Sequence, residues 1–87
     1  MATVFIPTVL RQAAGGASQV SVPGATVREV IRNLEERHPG LKSNLVENGK
    51  LKPNISVFVD GEPGTIGLLE PVGNDSEVHF IPAIAGG

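Results

Sequence analysis

The sequence closes on Gly86 and Gly87, directly after an apolar Pro82-Ala83-Ile84-Ala85 segment, and this ending predicts a protein whose reactive group is its own terminal carboxylate. A C-terminal Gly-Gly is the least hindered carboxylate a chain can offer. Neither residue has a Cβ, so such a tail can enter a narrow channel and take whatever φ a site demands. The stretch from Ala83 to Gly87 spans about 16–18 Å when extended at ~3.3–3.6 Å per residue, enough to reach a buried site while the body docks outside. A carboxylate is a weak nucleophile, so its reaction is a positioning problem, and correct orientation supplies many kcal/mol.

The side chains offer little chemistry to compete with this. The chain has no cysteine, which rules out a disulfide framework and zinc-ribbon or CxxC sites. His38 falls at the end of a helical pattern, where packing or capping accounts for it. His79 with Ser76 has no acidic third member in the sequence pattern, so a hydrolytic triad is not indicated. Asp60, Glu62 and Asp75 fall in turn segments with no metal-ligand spacing. Gly15-Gly16 lacks the Lys-Ser/Thr that follows a phosphate-binding loop.

Composition narrows the partners. At 87 residues, 40% apolar and 18% charged, the chain predicts one globular domain with a modest core and no room for a deep catalytic cleft. A net charge of −2 and only three Phe, with no Trp or Tyr, argue against nucleic acid, whose binders are basic and stack bases on aromatic rings. No apolar run approaches the ~20 residues that span a membrane. The N-terminal Met1-Ala-Thr-Val-Phe-Ile-Pro7 lacks the basic and apolar regions of a signal peptide. Together with the missing disulfides, this predicts a cytoplasmic protein.

The elements that would hold the tail follow from periodicity. Thr3 to Leu10 reads as a strand and Gln19 to Val22 as a second, joined by a turn at Ala13-Ala14-Gly15-Gly16. Thr26-Val27-Arg28-Glu29 fits a capping box. Val27, Val30, Ile31, Leu34 and His38 then form one stripe on a helix, with Arg28, Arg32, Glu35 and Glu36 on the wet side, ended by Pro39-Gly40. Leu41 to Pro53 reads as polar and irregular, with a short turn at Lys42–Leu45. Ile55 to Val59 is a strong strand closed by Asp60-Gly61, residues 62–74 a short strand or loop, and Glu77 to Pro82 the last strand. A single amphipathic helix among such strands buries its stripe only by lying across one face of a sheet. The expected fold is therefore α+β, with a mixed sheet of four to five strands and one helix packed across one face. The expected organisation is a domain over residues 1–82 and a flexible tail over 83–87.

If Val4, Ile6, Val20, Val22, Ile55, Val57, Val59, Val78 and Phe80 face the helix, then Phe5, Phe58, His79 and Ile81 face outward. Two Phe on the solvent side of so small a domain predict an interaction surface. The alternative is a strand shifted by one residue, which would return a Phe to the core.

The first-strand Phe5-Ile-Pro-Thr-Val-Leu-Arg11, the capped helix, Glu77-Val-His-Phe-Ile-Pro82 and the terminal Pro82-Ala-Ile-Ala-Gly-Gly87 together resemble the ubiquitin-like β-grasp sulfur carriers, which include the thiamine sulfur carrier and the small subunit of molybdopterin synthase. The first strand and the tail look closest to the carrier of a cysteine-synthesis pathway. Ala83-Ile84-Ala85 departs from the Pro-Pro-Val-Ser-Gly-Gly ending of the molybdopterin branch, and Gly73-Asn-Asp-Ser-Glu-Val78 is longer than the family's compact Gly-Asp-Glu-Val turn.

The resemblance implies a co-substrate protein, not an enzyme, with no bound cofactor, which is a monomer in isolation. An adenylating, E1-like enzyme would use ATP to activate the Gly87 carboxylate, with Gly86 giving clearance. A sulfur donor would then leave a covalent C-terminal thiocarboxylate. A synthase would accept the sulfur, either a pyridoxal-phosphate-dependent cysteine synthase or a thiazole- or thiosugar-type synthase. Phe5, Phe58, His79, Ile81, Ile84 and Ala85 are the expected partner contacts. The absence of cysteine would also spare an activated tail from capture by a thiolate of the same chain. Two other readings remain. One is a ubiquitin-like modifier joined through Gly87 to lysines of other proteins. The other is a β-grasp binding module with no such chemistry.

Overall fold

The computed structural model describes residues 1–82. The expected flexible tail over residues 83–87, with Ile84, Ala85, Gly86 and Gly87, lies outside the described residues. The described chain forms strands β1 (Ala2–Phe5), β2 (Gln19–Val22), β3 (Val46–Glu47), β4 (Lys50–Leu51), β5 (Ile55–Val59), β6 (Glu62–Pro63) and β7 (Glu77–Pro82). Two α-helices, α1 (Val27–Arg37) and α2 (Leu41–Leu45), and 3₁₀ helices over Thr8–Ala14 and Gly67–Leu69 complete it.

The main sheet runs in the order β2-β1-β7-β5-β6, with β1 and β7 parallel and every other pair antiparallel. The sequence led to a mixed sheet of four to five strands, and the structure has five. Val4, Val20, Val22, Ile55, Val57, Val78 and Phe80 alternate onto one face and are all buried. They meet Val27, Val30, Ile31 and Leu34 of α1, none more than 2% exposed. The stripe read at helical spacing is therefore the core contact as far as Leu34, because residues three and four apart share one face of a helix, while His38 falls past the helix as its C-cap and is only half-buried.

The cap of α1 differs from the capping box by one residue. The Thr26 hydroxyl accepts from the Glu29 N–H at 3.3 Å, as expected, but the Glu29 carboxylate reaches back to the Ala25 N–H at 2.9 Å. Just upstream, Gly24 lies against the helix: a Cβ there would sit 2.9 Å from the Val30 amide nitrogen and 2.8 Å from its Cγ2. Asn33 and Arg37 donate to the Pro23 and Ser21 carbonyls at 2.7 and 3.1 Å, strapping the wet side of α1 to β2.

Three expectations are corrected. The first strand ends at Phe5 instead of running to Leu10, and Thr8–Ala14 is a 3₁₀ helix. Pro7 has no N–H to continue a ladder, and Arg11 Nε donates to the Ile6 carbonyl at 3.0 Å. The stretch 41–53 is ordered as α2 plus the β3–β4 hairpin, turned by Asn48 and Gly49, both at positive φ. Glu35 is not on a simple wet face. Its carboxylate accepts from the Gly40 and Lys42 N–H groups at 3.1 and 2.9 Å, so α1 supplies the anionic cap of α2.

Candidate functional site

Strand register brings the outward-facing residues into one row. Phe5 of β1 pairs with His79 of β7, His79 pairs with Phe58 of β5, Phe5 also pairs with Gln19 of β2, and Phe58 with Pro63 of β6. The row Gln19–Phe5–His79–Phe58–Pro63 crosses all five strands on the side away from α1. The sequence did not place Pro63 here, because a two-residue edge strand has too short a pattern to fix register.

Phe5 and His79 stack with ring centroids 4.2 Å apart and planes 3° from parallel. Each covers one face of the other's ring, so both are only half-buried. Nε2 of His79 also lies 3.7 Å from a Glu77 carboxylate oxygen. Phe58 is half-buried and Ile81, one register step towards the end of β7, is 49% exposed. The four described residues expected on this face thus share it. The alternative register, with a Phe returned to the core, is not adopted. Farther from the end of β7, the face turns polar at Thr3, Ser21 and Glu77.

The apolar end of this face continues into a shallow groove towards the point where β7 finishes. Phe5, Pro7, Val9, His79, Ile81 and Pro82 are among its lining residues, and Val9 is 72% exposed. Because β1 and β7 are parallel, the 3₁₀ helix starts beside the end of β7. Sequence reading missed Val9 by placing it in a strand. The adjacent apolar pair Val9-Leu10 and the spacing of Leu10, Ala13 and Ala14 were the available signals of a helical turn.

The remaining polar groups are structural. Asp60 and Gly61 both have positive φ, closing the β5–β6 hairpin. The Asp60 carboxylate accepts from the Glu77 N–H at 2.9 Å and from the Ser76 hydroxyl at 2.7 Å. Ser76 in turn accepts from the Gly73 N–H at 2.8 Å. Asp60 is therefore more than a solvated turn residue: it ties the end of β5 to the start of β7. These donors, the Glu77 N–H foremost, favour the ionised carboxyl and hold it below the ordinary value of 3.8. The Ser76 hydroxyl proton is committed to Asp60, so Ser76 and His79 form no nucleophile–base pair. Among the described residues no three His, Asp or Glu come together as metal ligands, and no helix is long and apolar enough to cross a membrane.

The comparisons with known proteins extend this picture. The model of the ThiS family matches residues 4–87. The sulfur carrier protein CysO of Mycobacterium tuberculosis is 36% identical over 90 residues, covering 98% of this chain and 97% of that one. Small archaeal modifier protein 3 of Haloferax volcanii is 34% identical over 65 residues, 72% of this chain and 71% of that one. A chain of the Amycolatopsis orientalis BexX/CysO complex matches at a TM-score of 0.95 with 42% identity, covering all of both chains. A match this complete, on a sheet order and a helix placement that the residues themselves require, makes the protein a β-grasp homologue of sulfur carriers and a member of the ThiS family.

Proposed function

We propose that this protein carries sulfur as a thiocarboxylate at Gly87, for cysteine biosynthesis. The observation that carries the reading is the end-to-end similarity to a named sulfur carrier, with the family match running through residue 87. In the first step a Gly87 carboxylate oxygen attacks the α-phosphorus of ATP in an adenylating, E1-like partner, and pyrophosphate leaves. In the second, a hydrosulfide-level donor adds to the acyl carbon and AMP leaves, so the carboxylate becomes a thiocarboxylate. In the third, the thiocarboxylate sulfur bonds to the substrate of a synthase, here a pyridoxal-phosphate-dependent cysteine synthase, displacing that substrate's leaving group, and water cleaves the acyl carbon–sulfur bond and restores the Gly87 carboxylate. The protein is then a co-substrate, and the catalytic groups belong to its partners.

The residues suit this division of labour. Residues 83–87 serve as the reactive tail, with Gly86 and Gly87 presenting no Cβ to a partner's channel. Phe5, His79, Phe58 and Ile81 offer the partner an apolar docking face beside the end of β7, and Ile84 and Ala85 extend that contact along the tail. The absence of cysteine suits both a reactive acyl tail and a cytoplasmic setting.

A second reading, conjugation through Gly87 to lysines of other proteins, is favoured by the similarity to the Haloferax volcanii modifier. One experiment separates the two. The protein is incubated with ATP, an adenylating enzyme and sulfide, and its intact mass is measured. Exchange of one oxygen for sulfur, localised to Gly87, is the expected result. Isopeptide adducts on lysines without that exchange would replace it by the modifier reading. No change of mass with any such enzyme would overturn both.

A further inference from the structure

The tail chemistry leaves the helix side of the domain unused, and that side carries most of the chain's positive charge. Arg28 and Arg32 sit four residues apart on one flank of α1. Lys42 of α2 and the β3–β4 hairpin stand across from them. Between these elements runs a groove of about 360 Å³, with Ile31, Val46 and Leu68 among its lining residues. A second hollow shares Arg28, Gly49 and Leu68 with it, adds Lys50, and extends to Ile66 and Leu69. Ile66 and Leu69 are 55% and 63% exposed.

Four of the seven basic residues of a chain with net charge −2 thus border one continuous groove. No acidic residue lines either hollow. Among the described residues, none of the four cations is in an ion pair. The carboxylate of Glu35, three residues after Arg32, is occupied by the Gly40 and Lys42 backbone N–H groups. Exposed apolar side chains rimmed by charge of one sign mark an interaction site, and the sign selects the partner.

We propose that this groove docks an acidic segment of a partner protein that carries apolar side chains such as Leu or Ile. Its carboxylates would meet Arg28, Arg32, Lys42 and Lys50, while its apolar side chains would cover Leu68, Ile66 and Leu69. The concave apolar floor disfavours a flat lipid surface, and the lining has no aromatic ring on which a nucleotide base would stack. The groove lies across the sheet from the Phe5–His79–Phe58 row. A partner held here leaves that row free, and the inference does not depend on what Gly87 carries.

The test is an amide-shift titration of the full ¹⁵N-labelled chain with the peptide Glu-Asp-Glu-Leu-Leu-Asp-Glu-Ile-Glu. Parallel titrations use the same peptide with Ser for Leu and Ile, inorganic polyphosphate, and phosphatidylserine vesicles. The expected shifts are confined to residues 28–32, 42–51 and 66–69. Affinity should fall about tenfold or more as salt rises, and shifts should be absent in an Arg28→Glu, Arg32→Glu double variant whose spectrum is otherwise native. Equal binding of the serine peptide or of polyphosphate would overturn the proposal in favour of a general anion site. Vesicle binding without peptide binding would overturn it in favour of a membrane surface. Peptide shifts on the Phe5–His79–Phe58 row, or none at all, would also overturn it.

Discussion

Phe5 and His79, on neighbouring parallel strands, lie ring on ring at 4.2 Å with planes 3° apart. Their pairing fixes the middle of the outward face, since His79 is also the register partner of Phe58. A double-mutant cycle of Phe5→Leu and His79→Leu, read by urea denaturation, should give a coupling of about 0.5–1.5 kcal/mol, the range for aromatic pairs beyond area burial. A coupling near zero would mean that the two rings merely share a surface.

Phe58 tests the docking face. It is half-buried on the side away from α1, so Phe58→Ala should cost about 1–2 kcal/mol, below the 3–5 of a core Phe. If the proposed face docks the adenylating partner, adenylation of the tail should lose kcat/KM by about tenfold, mostly through KM, because the substitution removes docking contact and leaves the terminal carboxyl untouched. Loss of folding with adenylation of the remaining folded protein unaffected would count against the face.

If Gly87 carries the reacting carboxyl as proposed, Gly87→Ala places a methyl beside the carbonyl carbon that reacts. A displacement of about 1 Å at a reacting centre costs on the order of a hundredfold in rate, and adenylation measured by pyrophosphate release should fall by that order. The urea midpoint should not move.

Asp60 sets an acid limb on stability. Its carboxyl titrates lower in the folded protein than in the unfolded chain, because the Glu77 N–H and the Ser76 hydroxyl donate to the charged form. The folded state therefore binds fewer protons, and the contribution is fully present above the ordinary value of 3.8. It is lost as pH falls through the lower folded value. Urea midpoints measured from neutral pH down to the acid range should fall less steeply in Asp60→Asn than in the native chain, with the two curves converging at the acid end.

Gly24 tests the close approach of chain and helix. A methyl at this position would meet the Val30 amide nitrogen at 2.9 Å, and backbone cannot swing aside as a side chain can. Gly24→Ala should cost about 1–3 kcal/mol, in the range of overpacked sites. For a domain of this size that lowers Tm by roughly 4–8 °C per kcal/mol. Gly49→Ala, with nothing within 4 Å of its Cβ, should lose less, through its positive φ alone.

The elements with strong periodicity could be read from the residues alone. Strands 55–59 and 77–82 and the start of α1 at Val27 were legible because alternation and helical spacing are properties of neighbouring residues. The outward set Phe5, Phe58, His79 and Ile81 followed from the same alternation, since every second residue of a strand shares its face. Short-range patterns also misled: Thr-Val-Leu after Pro7 has strand-like composition, yet Pro7 ends the ladder and Arg11 takes up the Ile6 carbonyl.

Which strands lie side by side emerged from the packed fold and from nothing local. The parallel pairing of β1 with β7 joins residues more than seventy positions apart, and no local pattern encodes that distance. It is this pairing that stacks Phe5 on His79 and sets the 3₁₀ helix beside the end of β7. In the same way Glu35 became the cap of α2, and Asp60 the tie between β5 and β7. Hydrogen-bond partners of that kind are chosen by the packed core, which fixes backbone donors where a carboxylate can reach them.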